Sequence, residues 1–172
     1  MVSATFTSKI LTHFESALAA IPILMAFVPQ LMDTGGNAGS QASVSVIRAL
    51  SLGDITLGDF LKVLWKEIRV SLLCGVSLGA VNFVKMVVLN DVSRSEHPND
   101  WLLITLIVCV TLSIAVVIAK IVGSMLPIAA KRIGFDPAVM ASPFITTIVD
   151  VLTLLLYFGI TSAIFDITGI SV

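Results

Sequence analysis

From Trp101 to Ala130 the chain runs for thirty residues with one charged side chain, Lys120. A crossing of the hydrocarbon layer needs about 20 mainly apolar residues, so a run of this length and purity belongs in a bilayer. It does not stand alone: Val70 to Leu89 is nearly as apolar, as is the stretch around Asp150 that ends at Phe165. Composition agrees. The 172 residues are 57% apolar and 12% charged, with a mean hydropathy of +1.06, whereas soluble domains are roughly 45–50% apolar and about 25% charged. The expectation is one all-helical integral membrane domain with no separate soluble part.

Periodicity and breakers divide the chain into five predicted helices, at about 2–14, 17–50, 60–89, 101–132 and 137–165. The first is short and polar for a full span. The second is interrupted by Pro22, Pro29 and the small, polar segment Asp33 to Gln41. Asn90 to Asp100 is dense in turn formers and reads as a solvent loop. Pro137 suits the first turn of the fifth helix, where a missing N–H costs nothing. Arg48, Lys62, Lys66, Arg69, Lys131 and Arg132 would share one side, against Arg94 and Lys85 on the other. The excess of bases marks the cytoplasmic side, so the expectation is a multi-pass inner-membrane protein, amino end inside and carboxyl end outside.

Ten basic and eleven acidic residues give a net charge of −1. No long basic face is present, which argues against nucleic acid as a partner. Cys74 and Cys109 sit in apolar runs, where a thiol packs as a small hydrophobe. Met1 to Ser8 lacks the basic start and unbroken apolar stretch of a signal peptide.

Asp150 is the residue that most needs explaining. It lies near the middle of an apolar helix, where an acid costs about 2.5–3.5 kcal/mol on insertion scales. One reading is a structural ion pair with Lys120. The other is a cation path, because Ser142, Thr146 and Thr153 fall at helical spacing on its face and Pro143 frees backbone carbonyls. Asp33 to Gln41 offers a second wall, since irregular, glycine-rich backbone is tolerated at membrane depth where it lines a water-filled cavity. Gly35, Gly36 and Gly39 could equally serve close helix packing. Asp33-Thr34-Gly35 copies the aspartic-protease triplet, with Asp150 as a formal partner, but the Gly-x-Gly-Asp signature of intramembrane aspartyl proteases is absent. No other motif suggests an enzyme. Glu15 is either an exposed carboxylate or a collector of cations at an entrance.

Several motifs occur in one order along nearly the whole chain. They are Phe14-Glu15-Ser16, Gly35-Gly36-Asn37-Ala38-Gly39-Ser40-Gln41 followed by Ile47-Arg48-Ala49-Leu50, then Lys66-Glu67, Leu126-Pro127, and Gly134-Phe135-Asp136-Pro137-Ala138 with Pro143 and Thr146 to Asp150. Together they resemble the transmembrane domain of MgtE-type magnesium channels. The resemblance implies a homodimer with a cation pore on its axis, lined by the second and fifth helices. Asp150 would hold magnesium through its water shell, with Thr146 beside it. Asn37 and Gly36, with Ser142, Pro143 and Thr153, would line the pore, and Asp136 would take part in magnesium-dependent closing at its cytoplasmic mouth. The transported ion would be Mg2+, with Mn2+, Co2+ or Ni2+ as further candidates, driven inward by the membrane potential. An ion-coupled transporter is the competing reading. Family members typically also carry an amino-terminal helical domain and CBS modules that sense internal magnesium; neither is among these residues, so a regulatory domain or chain is an expected partner.

Overall fold

The computed structural model describes residues 2–13, 23–89, 101–140 and 142–168. They form five helices: α1 (Val2–His13), α2 (Ile23–Leu52), α3 (Phe60–Val88), α4 (Trp101–Arg132) and α5 (Ser142–Thr168). Short 3-10 turns at Leu57–Asp59 and Pro137–Met140 lead into α3 and α5.

The turns are written locally. After Leu52, Gly53 takes φ +79°, and the N–H groups of Asp54 and Ile55 turn back to the carbonyl of Ala49 at 3.0 and 3.4 Å. This satisfies a carbonyl that the helix end would otherwise leave open. Lys131 Nζ, at the end of α4, donates to the Leu50 carbonyl at 3.3 Å. Before α3, the Asp59 carboxylate accepts from Thr56 N–H and Thr56 Oγ1 at 3.0 and 2.7 Å, and from Lys62 Nζ at 2.8 Å. Gly134, at φ +86°, closes α4 the same way, with Phe135 N–H returning to the Ala130 carbonyl at 2.9 Å.

The most apolar helix, α4, sits at the centre and packs against α2, α3 and α5; α2 also packs against α5, and α1 against α5. Leu24, Leu31, Met86, Ile104, Ile107, Val108 and Phe158 fill one end of the core. There Tyr157 also directs its hydroxyl to the Leu24 carbonyl at 3.0 Å. Smaller residues bring the helices together elsewhere. Ser113 Oγ of α4 donates to the Gly75 carbonyl of α3 at 2.9 Å, and a Cβ on Gly75 would meet the Ser113 backbone oxygen at 2.6 Å. Gln30 Nε2 donates to Asn82 Oδ1 at 2.7 Å, and Asn82 Nδ2 faces Cys109 Sγ at 3.4 Å. These polar contacts within apolar helices are of the kind that joins helices in lipid.

One expectation needs correction. The fifth helix does not start at Pro137: that proline opens a separate 3-10 turn, and α5 begins at Ser142. Pro143 cannot donate a backbone hydrogen bond and its ring crowds the carbonyl four residues earlier, so it fits the first turn and not an interior. The all-helical membrane architecture is as expected; of the five crossings anticipated, three helical stretches among the described residues are long and apolar enough to cross a membrane: Leu57–Val88, Trp101–Arg132 and Pro143–Ile164. With 12 residues, α1 is about 18 Å long. At 30 residues α2 has the length, about 45 Å, but Asp33 to Gln41 lowers its hydropathy. On α3, Leu72, Leu73, Val76, Val81, Val84 and Val88 form an exposed apolar face, as a lipid-facing helix requires.

Candidate functional site

A cavity of about 210 Å³ opens between α2 and α5, lined by Met32, Asp33, Gly36 and Asn37 from α2 and by Thr146 and Asp150 from α5. Each set follows helical spacing: 33, 36 and 37 share a face, as do 146 and 150. The register across the crossing is fixed by glycines. A Cβ on Gly36 would lie 3.3 Å from the Thr146 methyl and 3.7 Å from Asp150 Oδ1; one on Gly35 would meet Thr153 Oγ1 at 3.0 Å; one on Gly39 would meet Ile145 Cγ2 at 3.2 Å. The helices therefore run antiparallel, and any larger residue at 36 would stand between the α2 backbone and the Asp150 carboxylate.

Neither carboxylate of the wall forms an ion pair with a described residue. Among the described residues the ion pairs are Lys62–Asp59 at 2.8 Å and Lys66–Glu67 at 4.0 Å; Asp150 does not pair with Lys120, and the structural reading of Asp150 loses its partner. A larger cavity, about 330 Å³, lies where α2 ends and α3 begins and includes Asp54, Asp59, Lys62, Lys66 and Glu67. Two of its three acids, Asp59 and Glu67, are paired with lysines, so its size does not make it the better cation site. No three His, Cys, Asp or Glu side chains converge as a metal cage among the described residues. The smaller cavity instead offers carboxylate, amide and hydroxyl oxygens spread around an open space, a donor set suited to an ion that keeps its water.

Other expected site residues lie elsewhere. Thr153 is 2% exposed and turned under Gly35, not into the cavity. Pro143 is exposed at the start of α5, and its carbonyl accepts from Thr146 Oγ1 and Thr147 Oγ1 at 3.1 and 2.9 Å. Asp136 is exposed beyond the helix, its Oδ1 accepting from Ala138 N–H at 2.9 Å. The side chain of Ser142, and Glu15 altogether, lie outside the described residues. Sequence reasoning placed Asp33 at the head of the Asp33 to Gln41 wall but named it singly only in the protease alternative; its position four residues before Asn37 is the signal that it shares that residue's face.

A family model described as a divalent cation transporter, MgtE, matches residues 28–160, which include both walls of the cavity. The chain belongs to the MgtE family. Three relatives carry the name magnesium transporter MgtE. The protein of Thermus thermophilus is 38% identical over 160 residues, 93% of this chain and 33% of the relative. That of Enterococcus faecalis is 30% identical over 91% of this chain and 32% of its own length, and that of Bacillus subtilis is 30% identical over 91% and 33%. The chain thus spans about a third of the length of these relatives. All three relatives are named as transporters and not as enzymes.

Proposed function

We propose that these residues form the pore domain of a magnesium channel, a homodimer that conducts Mg2+ inward down its electrochemical gradient. The carrying observation is the Asp150 carboxylate, set within a membrane-spanning helix, beside Gly36, Asn37 and Thr146 and without a basic partner among the described residues. A charge so placed is expensive unless a cation or water meets it. Magnesium gives up its water reluctantly and prefers octahedral oxygen surroundings, so Asp150 binds it through the water shell while Asn37 and Thr146 present further oxygens.

What the cavity leaves open supports the dimer. Asp33, Asn37 and Gln41 are exposed along one face of α2, a polar stripe that lipid would not solvate, and a second copy facing it encloses a polar path. Lys131 beside Leu50, with Arg48, Lys62, Lys66, Arg69 and Arg132 toward the same end, supports placing that end in the cytoplasm. A divalent cation falling through about 100 mV, inside negative, gains about 4.6 kcal/mol, enough for uptake without a coupled ion.

The test is Mg2+ flux into proteoliposomes under an imposed potential, with and without a proton gradient. Flux that follows potential alone, and that loses selectivity in Asp150→Ala, is expected. Dependence on the proton gradient would favour coupled transport, and parent-like selectivity in Asp150→Ala would remove Asp150 from the pore.

A further inference from the structure

Asp33 is the eleventh residue of α2, about 15 Å along the helix from its start, and it is exposed. Depth and exposure together are the puzzle. A carboxylate at a helix end reaches water or headgroups, whereas one in the interior of a membrane helix must face a cavity or a partner. No lysine or arginine pairs with it among the described residues. It does line the cavity that holds Asp150.

The helix register says where in that cavity it stands. Gly36 faces Thr146 and Asp150, and Gly35 faces Val149 and Thr153. Because α2 and α5 run antiparallel, Asp33 lies about one turn further toward the amino end of α2 than Gly36 does, on the side of Asp150 away from Thr146. Asn37, one residue past Gly36, lies about 1.5 Å the other way. The wall is therefore graded along its length, with one carboxylate from α2 above the Asp150 level and an amide from the same helix below it.

We infer that Asp33 is a second cation-binding carboxylate of this cavity, a tier adjoining Asp150 from which a hydrated divalent cation passes to it. The inference rests on the pore reading of Asp150 given above. A dication in a confined space lined by two carboxylates is drawn to both charges at once, so it is attracted more strongly than by Asp150 alone. Conduction also gains, because adjoining sites let an entering ion loosen the one ahead of it. Asp33 thus governs how readily the pore fills, while Asp150 governs what it admits.

The experiment compares the parent with Asp33→Asn, Asp33→Glu and Asp150→Asn. It measures Mg2+ flux against external Mg2+ at constant ionic strength, the Mg2+/Na+ selectivity of that flux, and calorimetric titration of the purified chain with Mg2+. Asp33→Asn should raise the half-saturating Mg2+ concentration roughly fivefold, the scale of one solvated charge contact, and weaken Mg2+ binding to match, with selectivity kept. Asp33→Glu should restore most of the loss, which a merely structural role for the side chain would not do. Asp150→Asn should lose selectivity. Parent-like half-saturation and titration in Asp33→Asn, with selectivity still lost in Asp150→Asn, overturns the role of Asp33 and leaves the pore reading standing. Parent-like selectivity in Asp150→Asn overturns the pore reading itself. Should the amide variant fail to assemble, Asp33→Ser is read by the same outcomes.

Discussion

A side-chain carbon on Gly123 of α4 would collide with the carbonyl oxygen of Gly39 on α2. The two backbones are in contact there, and Gly39 is itself enclosed by Ala119, Ile145 and Val149 on its other sides. This crossing holds the back of α2 against the central helix while its front, at Gly36 and Asn37, faces the cavity.

Gly123→Ala should therefore force α2 and α4 apart and destabilise the fold by about 1–3 kcal/mol, the usual scale of overpacking. Gly159→Ala is the control, because nothing lies within 4 Å of a Cβ at that position. Thermal unfolding in detergent separates them, and equal melting temperatures would show that the crossing yields more easily than its geometry suggests.

At Gly36 the expected effect is on flux. An alanine Cβ would sit 3.3 Å from the Thr146 methyl, a contact that a few tenths of an ångström relieves, so Gly36→Ala should assemble and conduct at a reduced rate. Gly36→Leu should fill the cavity before Asp150 and abolish flux. Asn37→Leu should impair flux and leave assembly unchanged, since Asn37 is exposed. Size-exclusion elution together with Mg2+ uptake reads all three; parent-like uptake in every variant would remove this segment from the pathway.

Lys120 tests the alternative role of Asp150. Removing one partner of a buried ion pair usually costs roughly 3–5 kcal/mol, because the other charge is stranded. With no pair formed, Lys120→Met should change unfolding stability by less than about 1 kcal/mol. A loss on the larger scale would mean that the two residues support each other.

How much of this was legible in the sequence depends on the range of the interaction. Helix ends were readable where one residue decides them: Gly53 and Gly134 both adopt positive φ at breaks. The start of α5 was misread because Pro137 and Pro143 each suit a first turn, and only Pro143 occupies one in a helix that continues. Thr153 shows the limit of periodicity. Three residues on from Asp150 a side chain is rotated by about 60°, enough to turn it from the cavity to the approaching Gly35. The pairing of Gly36 with Asp150 spans more than a hundred residues and no local pattern encodes it; the resemblance to MgtE-type channels suggested the two helices, and the packing of small residues sets their register. Gly35, Gly36 and Gly39 were open to two readings; in the structure Gly35 and Gly39 pack while Gly36 lines the cavity.

Asp136 carries the last prediction, on closing of the pore. A closed state must be favoured by an interaction that the open state lacks. The Asp136 carboxylate is exposed and uses one oxygen to accept from Ala138 N–H at 2.9 Å, which fixes the turn into Pro137 and leaves the other oxygen for a cation. Asp136→Asn keeps that acceptor and removes the charge, so the turn survives and only cation attraction is lost. For a pore made of these residues alone, raising Mg2+ over the millimolar range on the Asp136 side should inhibit current weakly and incompletely, because one exposed carboxylate per subunit supplies little differential binding. The residual inhibition should disappear in Asp136→Asn. Currents through reconstituted protein decide it: steep, complete closure that persists in Asp136→Asn would place magnesium sensing elsewhere within these helices.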